Sequence, residues 1–187
     1  MNILIINGHP DTDRYCSSVA EAYSKGARKS RAKVRRLDLA TMSFDPILHK
    51  GYDEIQPLEP DLEKAQEDIK WAEHIVIIFP VWWATVPAIL KGFIDRTILP
   101  GWAYKFTGIM SWEKYLKGRT ARIIATAGAP GWYYRFVVGM PGVKMLKDTL
   151  KFVGIKPARA TILGSLNIKV PPKRYLQKIE RLGRRFA

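Results

Sequence analysis

A single cysteine, Cys16, serves all 187 residues. That excludes an internal disulfide and any cysteine-based metal site, and it fits a reducing compartment. No apolar run approaches the roughly 18 residues of a membrane span. The opening MNILIING has no cationic region ahead of its short apolar run and no small-residue cleavage site, so a cytoplasmic protein is expected. The pattern G-x-x-x-x-G-K-[ST] is missing, and Gly8 is the only glycine of the loop after the first apolar run, so neither a P-loop nor a G-x-G-x-x-G dinucleotide fingerprint is supported. No repeat or low-complexity segment occurs. Acids are scarce: 17 Asp and Glu face 31 Lys and Arg, for a net charge of +14. The imbalance is uneven, with seven bases and no acid from Lys25 to Arg36, and seventeen bases against Asp148 and Glu180 from Lys114 onward. Such asymmetry can mark contact with nucleic acid or an anionic membrane, can steer anionic cofactors to a cleft, or can be a solvated surface. With no recognised motif beside the charge, nucleic acid is an unlikely partner.

What is present is an alternation of short apolar runs and amphipathic stretches across one domain, residues 1–187, with 47% hydrophobic content. Ile3–Ile6, Lys33–Leu37, Ile75–Phe79, Arg122–Ala125 and Ala158–Leu163 read as five strands. Helices are expected over Val19–Lys29, Asp61–Ala72, a segment starting at Pro87, Pro141–Val153 and Pro172–Phe186. The bases of the last helix almost encircle it, which reads as a solvated face. The most unusual stretch follows the third strand. Pro80 ends that strand, and Val81, Trp82 and Trp83 then stand where a surface loop should be polar. At the carboxyl end of a buried strand the two indoles either cap a core or make a stacking surface for a flat, conjugated ligand. Ser17 and Ser18 end a strand-to-helix turn that can hold an anion. The small residues Thr126, Ala127, Gly128 and Gly131 allow a planar ligand to approach the backbone. Trp102, Tyr104 and Phe106, in a Gly/Pro loop, are either core or the lining of an apolar cleft.

The string FPVWWATVPAILKGFIDR (79–96) followed by GWAYKF (101–106) closely resembles the flavin-binding segment of the NAD(P)H:quinone oxidoreductases, the DT-diaphorase-like branch of the flavodoxin-like superfamily. The likeness extends over most of residues 1–165. It implies an α/β, three-layer doubly wound fold with a five-stranded parallel sheet of order 2-1-3-4-5, so that the loops after strands one, three and four converge on one cleft. It implies a flavin held by His9, Tyr15, Cys16, Ser17 and Ser18 around its phosphate, by Pro80, Val81, Trp82 and Trp83, and by Thr126, Ala127, Gly128, Gly131 and Tyr134, with no metal. Gly128 and Tyr134 fall at the flavin's polar edge, where Tyr134 (or its neighbour Tyr133) would donate a hydrogen bond during catalysis. Cys16 stands where relatives often carry Asn, and Met140 where long relatives carry a histidine, so no Tyr-His proton relay is expected. Trp102, Tyr104 and Phe106 would meet the substrate across a homodimer interface. The implied activity is hydride transfer from NAD(P)H to quinones or similar flat acceptors by a ping-pong mechanism; the little sequence after the fifth strand to cover an adenosine favours FMN over FAD. The alternative is an ancillary subunit of a potassium-efflux system, with the basic surface docking to a membrane or transporter.

Overall fold

The computed structural model describes residues 1–158, 160–166 and 172–185. In chain order the elements are β1 (Asn2–Asn7), α1 (Tyr15–Lys29), β2 (Lys33–Asp38), a 3-10 turn (Leu39–Thr41), α2 (Pro60–Trp71), β3 (His74–Pro80), α3 (Ala88–Thr97), β4 (Tyr104–Gly108), β5 (Ser111–Lys114), β6 (Thr120–Thr126), α4 (Gly131–Phe136), α5 (Pro141–Phe152), β7 (Lys156–Pro157), β8 (Thr161–Leu163) and α6 (Lys173–Arg185). The sheet runs β2-β1-β3-β6, with β7 and β8 both pairing with β6, and every pairing in it is parallel. The expected flavodoxin-like class and 2-1-3-4-5 order are borne out.

Period-two alternation divides the strands between two cores. Ile3, Ile5, Val76 and Ile78 point to one face, where Val19, Tyr23 and Ala27 of α1 and Ile179 of α6 cover them. Leu4, Ile6, Ile75 and Ile77 point to the other, under Leu62 and Ile69 of α2, Leu90 and Phe93 of α3, and Val143, Leu146 and Leu150 of α5. Each fully buried aliphatic side chain contributes roughly 1.5–3 kcal/mol. A Cβ on Gly26 of α1 would collide with the Glu180 carbonyl, and one on Gly183 of α6 with the Tyr23 carbonyl, so these two glycines let the helices touch backbone to backbone.

Several boundaries differ from expectation. The fifth strand is two short pieces, β7 and β8; Arg159, between them, lies outside the described residues. Residues 97–108, read as loop, hold β4, which closes with β5 into an antiparallel hairpin. The Gly131–Phe136 helix was also read as loop, because six residues carry too little periodicity to register. Helix α1 starts at Tyr15 rather than Val19, which places Cys16, Ser17 and Ser18 in its first turn. In α6 the bases do not encircle the helix. At 3.6 residues per turn they fall within an arc of about 140°, opposite the buried Ile179 and Gly183.

Candidate active site

The carboxyl ends of β1, β3 and β6 bring three loops together. The Gly8 amide donates to the Ile78 carbonyl (2.8 Å), Val81 N–H to Thr126 O (2.7 Å), and Ala127 N–H to Leu163 O (2.8 Å), so each loop leaves its strand tied to a neighbour.

After β3 the chain turns back at once. Trp82 N–H donates to Thr85 O (3.1 Å) and Thr85 N–H to Trp82 O (2.9 Å), with φ of 47° at Trp83 and 65° at Ala84. Two consecutive positive φ angles are those of a type I′ turn, which glycine or asparagine ordinarily occupies. Non-glycine residues held there cost about 1–3 kcal/mol each and persist only when their surroundings over-determine them. Those surroundings are visible. The Tyr134 hydroxyl donates to the Ala84 carbonyl (3.1 Å), and the Gly142 amide reaches the same oxygen at 3.4 Å. A Cβ on Gly142 would lie 3.0 Å from Thr85 Cα. Met140, another left-handed residue (φ 54°), caps α5 and donates its N–H to Tyr134 O (3.1 Å). The result is a rigid turn that leaves Trp82 44% and Trp83 99% exposed.

Tyr134 is itself buried, at 2% exposure, and burial raises its pKa against the opposing pull of the Gly142 and Val143 amides. Its single hydrogen is committed to Ala84, so the expectation of a free hydroxyl donor aimed at a ligand is corrected: Tyr134 clamps the tryptophan turn. Tyr133 is 42% exposed.

The loop after β1 is organised by Asn7, fully buried at the end of an otherwise apolar strand. Its side-chain amide donates to Asp38 Oδ1 (2.8 Å) and Ser17 Oγ (3.1 Å), and its Oδ1 accepts the His9 N–H (3.3 Å). Sequence reasoning missed this residue, although a polar side chain closing a run of isoleucines was the available signal. His9 Nδ1 accepts the Asp11 N–H (2.9 Å), and its ring meets Trp82 edge-on at 5.5 Å, joining the first and third loops. Burial lowers the His9 pKa, so the ring is neutral at pH 7 with its proton on Nε2. The N-terminus of α1 has no side-chain cap and no acid in its first turn; the Ser17 amide is taken by the Arg14 carbonyl (2.9 Å), and the Tyr15 and Cys16 amides, with no acceptor among the described residues, are open to an anion. The hydroxyl of Tyr15, the first residue of that helix, is buried with no hydrogen-bond partner among the described residues, and burial raises its pKa.

Other expected residues reach this edge through backbone alone. The Cys16 thiol is buried against Thr126 Oγ1 (3.4 Å) and burial pushes its pKa up to about 12, which makes it a packed side chain rather than a nucleophile. Pro80 and Ala127 are buried as well. Gly128 is exposed, and its amide finds no acceptor among the described residues. A Cβ on Gly164 would collide with the Gly131 amide, so the loops after β6 and β8 are pressed together. Trp102, Tyr104 and Phe106 are not brought into this cluster. Tyr104 is buried, its ring 4.8 Å from Phe152 and 5.4 Å from Phe106, while Trp102 packs on the α2–α3 core beneath Lys70. Only Phe106 of the three is exposed. No cluster of metal-ligating side chains occurs among the described residues.

Comparison with known proteins agrees with this architecture. The Escherichia coli protein named uncharacterized NAD(P)H oxidoreductase YcaK is 27% identical over 172 residues, 86% of this chain and 82% of its own. An uncharacterized NAD(P)H oxidoreductase of Haemophilus influenzae is 34% identical over 111 residues, 56% of this chain; the match spans 54% of that protein's length. Among solved structures, the NAD(P)H:quinone oxidoreductase from Methanothermobacter marburgensis superposes with a TM-score of 0.84 at 26% identity, over 100% of this chain and 99% of the other. The resemblance read from residues 79–106 is borne out by these relatives. With residues 1–186 matching the flavodoxin-like fold, the chain belongs to that family.

Proposed function

We propose that the protein is a flavin-dependent NAD(P)H oxidoreductase that reduces quinones or similar flat acceptors. The observation that carries this reading is the meeting, at one sheet edge, of an uncapped helix N-terminus with a strained turn that holds two indoles outward. The first fits a phosphate and the second a planar ring system, which are the two ends of FMN. When bound, the flavin supplies the hydride chemistry. The chain's residues supply position and polarity. Amides of α1 and the Ser17 and Ser18 hydroxyls hold the anionic end, and Asn7 fixes Ser17. The clamp from Tyr134 holds Trp82 and Trp83 in place before any ligand arrives, which lowers the cost of ordering them. The exposed Gly128 amide is the preorganised donor for charge developing at a ring edge, and neutral His9 offers its Nε2–H beside Trp82.

Purified protein is expected to be yellow and to release FMN, identified by absorption and mass. A colourless protein that takes up neither FMN nor FAD at micromolar concentration would sink the proposal.

Donor and acceptor would share one apolar face over the tryptophan turn and use it in turn. Double-reciprocal plots of initial rate at several acceptor concentrations are therefore expected to be parallel, and intersecting lines would refute the shared position.

Trp83, Phe106, Ile109, Trp132 and Phe136 are exposed on the site loops and the β4–β5 hairpin. So much apolar surface on loops calls for a cover, and a second copy is the economical one. Light scattering is expected to report a homodimer that brings the partner's hairpin to the site. A monomer with full activity at every concentration would count against it.

A further inference from the structure

The face of the molecule formed by α1 and α6, on the far side of the sheet from α2, α3 and α5, carries most of the excess charge. Lys178, Arg181 and Arg185 stand exposed along the outer arc of α6, and Lys25, Arg28 and Arg31 along α1 and the turn after it. The two helices touch through Gly26 and Gly183, so the two rows of bases form one surface rather than two. Its acids are few. Glu180 is consumed by Lys29 (2.6 Å) and Arg184 (3.3 Å), and Glu21 lies beside Arg36 (3.8 Å) at the margin. The arrangement on α6 is one-sided: apolar residues pack inward on α1, and every base lies on the outward arc. A helix whose charge merely kept the protein in solution would not need an arc without acids, since interspersed acids serve solubility at least as well.

We infer that this α1–α6 face docks on an anionic lipid bilayer. Charge complementarity selects a polyanion, and the shape of the face selects between polyanions. Among the described residues the surface is two packed helices, with no projecting loop or ribbon to enter a groove. The large exposed aromatics, Trp82, Trp83, Phe106, Trp132 and Phe136, lie on other elements, so among the described residues nothing on this face stacks on bases. A broad layer of phosphates, met by guanidinium forks and lysine heads, matches it. Because the apolar side of α6 is already buried against α1, the attachment is electrostatic and inserts nothing into the bilayer.

The test is co-sedimentation of the full chain with vesicles of phosphatidylcholine alone or with about 30% phosphatidylserine, across a salt series. Binding is expected only to the anionic vesicles, falling steeply with salt. Each base at such a surface strengthens binding about fivefold, so the Lys178→Ala/Arg181→Ala/Arg185→Ala variant is expected to bind roughly 100-fold more weakly. A variant with equal charge loss elsewhere, Lys105→Ala/Lys144→Ala/Lys156→Ala, should bind within a few-fold of the parent, and both should melt with the parent. Absence of binding to anionic vesicles overturns the inference. So does equal weakening by the two triple variants, or tighter binding to duplex or single-stranded nucleic acid than to the vesicles at the same salt.

Discussion

Glu59→Ala is expected to lower the unfolding free energy by about 3 kcal/mol, the low end of the range for stripping a buried ion of its partner. Arg96 is fully buried and its guanidinium gathers the chain between α2 and the loop before it. It donates to the Asp45 carbonyl (2.6 Å), the Pro57 carbonyl (2.8 Å) and both Glu59 oxygens (3.3 and 2.9 Å). Among the described residues Glu59 is the one carboxylate it contacts, and Glu59 also accepts the Asp45 N–H (2.9 Å). Removing it leaves a desolvated cation with neutral carbonyls only. The low end applies because the Glu59 side chain is itself 30% exposed, so water relieves part of the loss. The same pair dictates a pH dependence. Burial raises the Glu59 carboxyl, but the Asp45 amide and the Arg96 guanidinium outweigh it and hold the pKa below its ordinary 4.5. A depressed carboxylate stabilises the fold above its unfolded pKa and loses that contribution as pH falls through the folded value. Chemical denaturation of parent and Glu59→Gln should therefore converge as the pH drops below about 4.5. Curves that remain equally separated at low pH would show that the ion pair is not the source of the difference.

The second large effect concerns Tyr134. Its hydroxyl holds Ala84 in a left-handed conformation, and the Phe variant leaves that carbonyl with the longer Gly142 contact alone. The expected loss is about 1–2 kcal/mol of stability. The turn carrying Trp82 and Trp83 then opens more readily, so FMN binds up to about tenfold more weakly, the competent fraction falling with the clamp. The rate of flavin reduction by NADPH at saturating FMN should fall by less than about tenfold. Loss of a donor acting directly on developing charge would cost about 100-fold or more in rate at unchanged affinity. Titration of FMN alongside stopped-flow reduction separates the two outcomes. A large rate loss with intact affinity would restore Tyr134 as a direct donor and remove it as a clamp. Tyr133→Phe, at the exposed position, is the companion measurement.

How much of this was legible in the chain follows the range of the forces involved. The isoleucine-rich runs at 3–6 and 75–79 and the periodic apolar positions of residues 141–153 declare strands and a helix, because their burial is dictated by residue type at a fixed spacing. The α/β class, the strand order by resemblance, and the cluster of small and aromatic residues at the strand ends were all readable. The β4–β5 hairpin was not. Its residues alternate weakly, and it exists because Tyr104, Phe106 and Trp112 close on Phe152 of α5, a partner some forty residues away. The split of the last strand was equally hidden, since β7 and β8 are defined only by their register on β6.

The sequence by itself determined, through strand periodicity, which loops leave the carboxyl ends of β1, β3 and β6, and its resemblance to the NAD(P)H:quinone oxidoreductases grouped His9, Ser17, Trp82, Gly128 and Tyr134 around that edge. Only the tertiary structure decided what each does. A hydroxyl can serve a ligand or a carbonyl, and the sequence is silent on which. The choice for Tyr134 depends on Ala84, fifty residues away, being forced to a positive φ beneath it. Likewise the bases of α6 join those of α1 in one surface only because Gly26 and Gly183 let two helices touch, so that charges remote along the chain share one face.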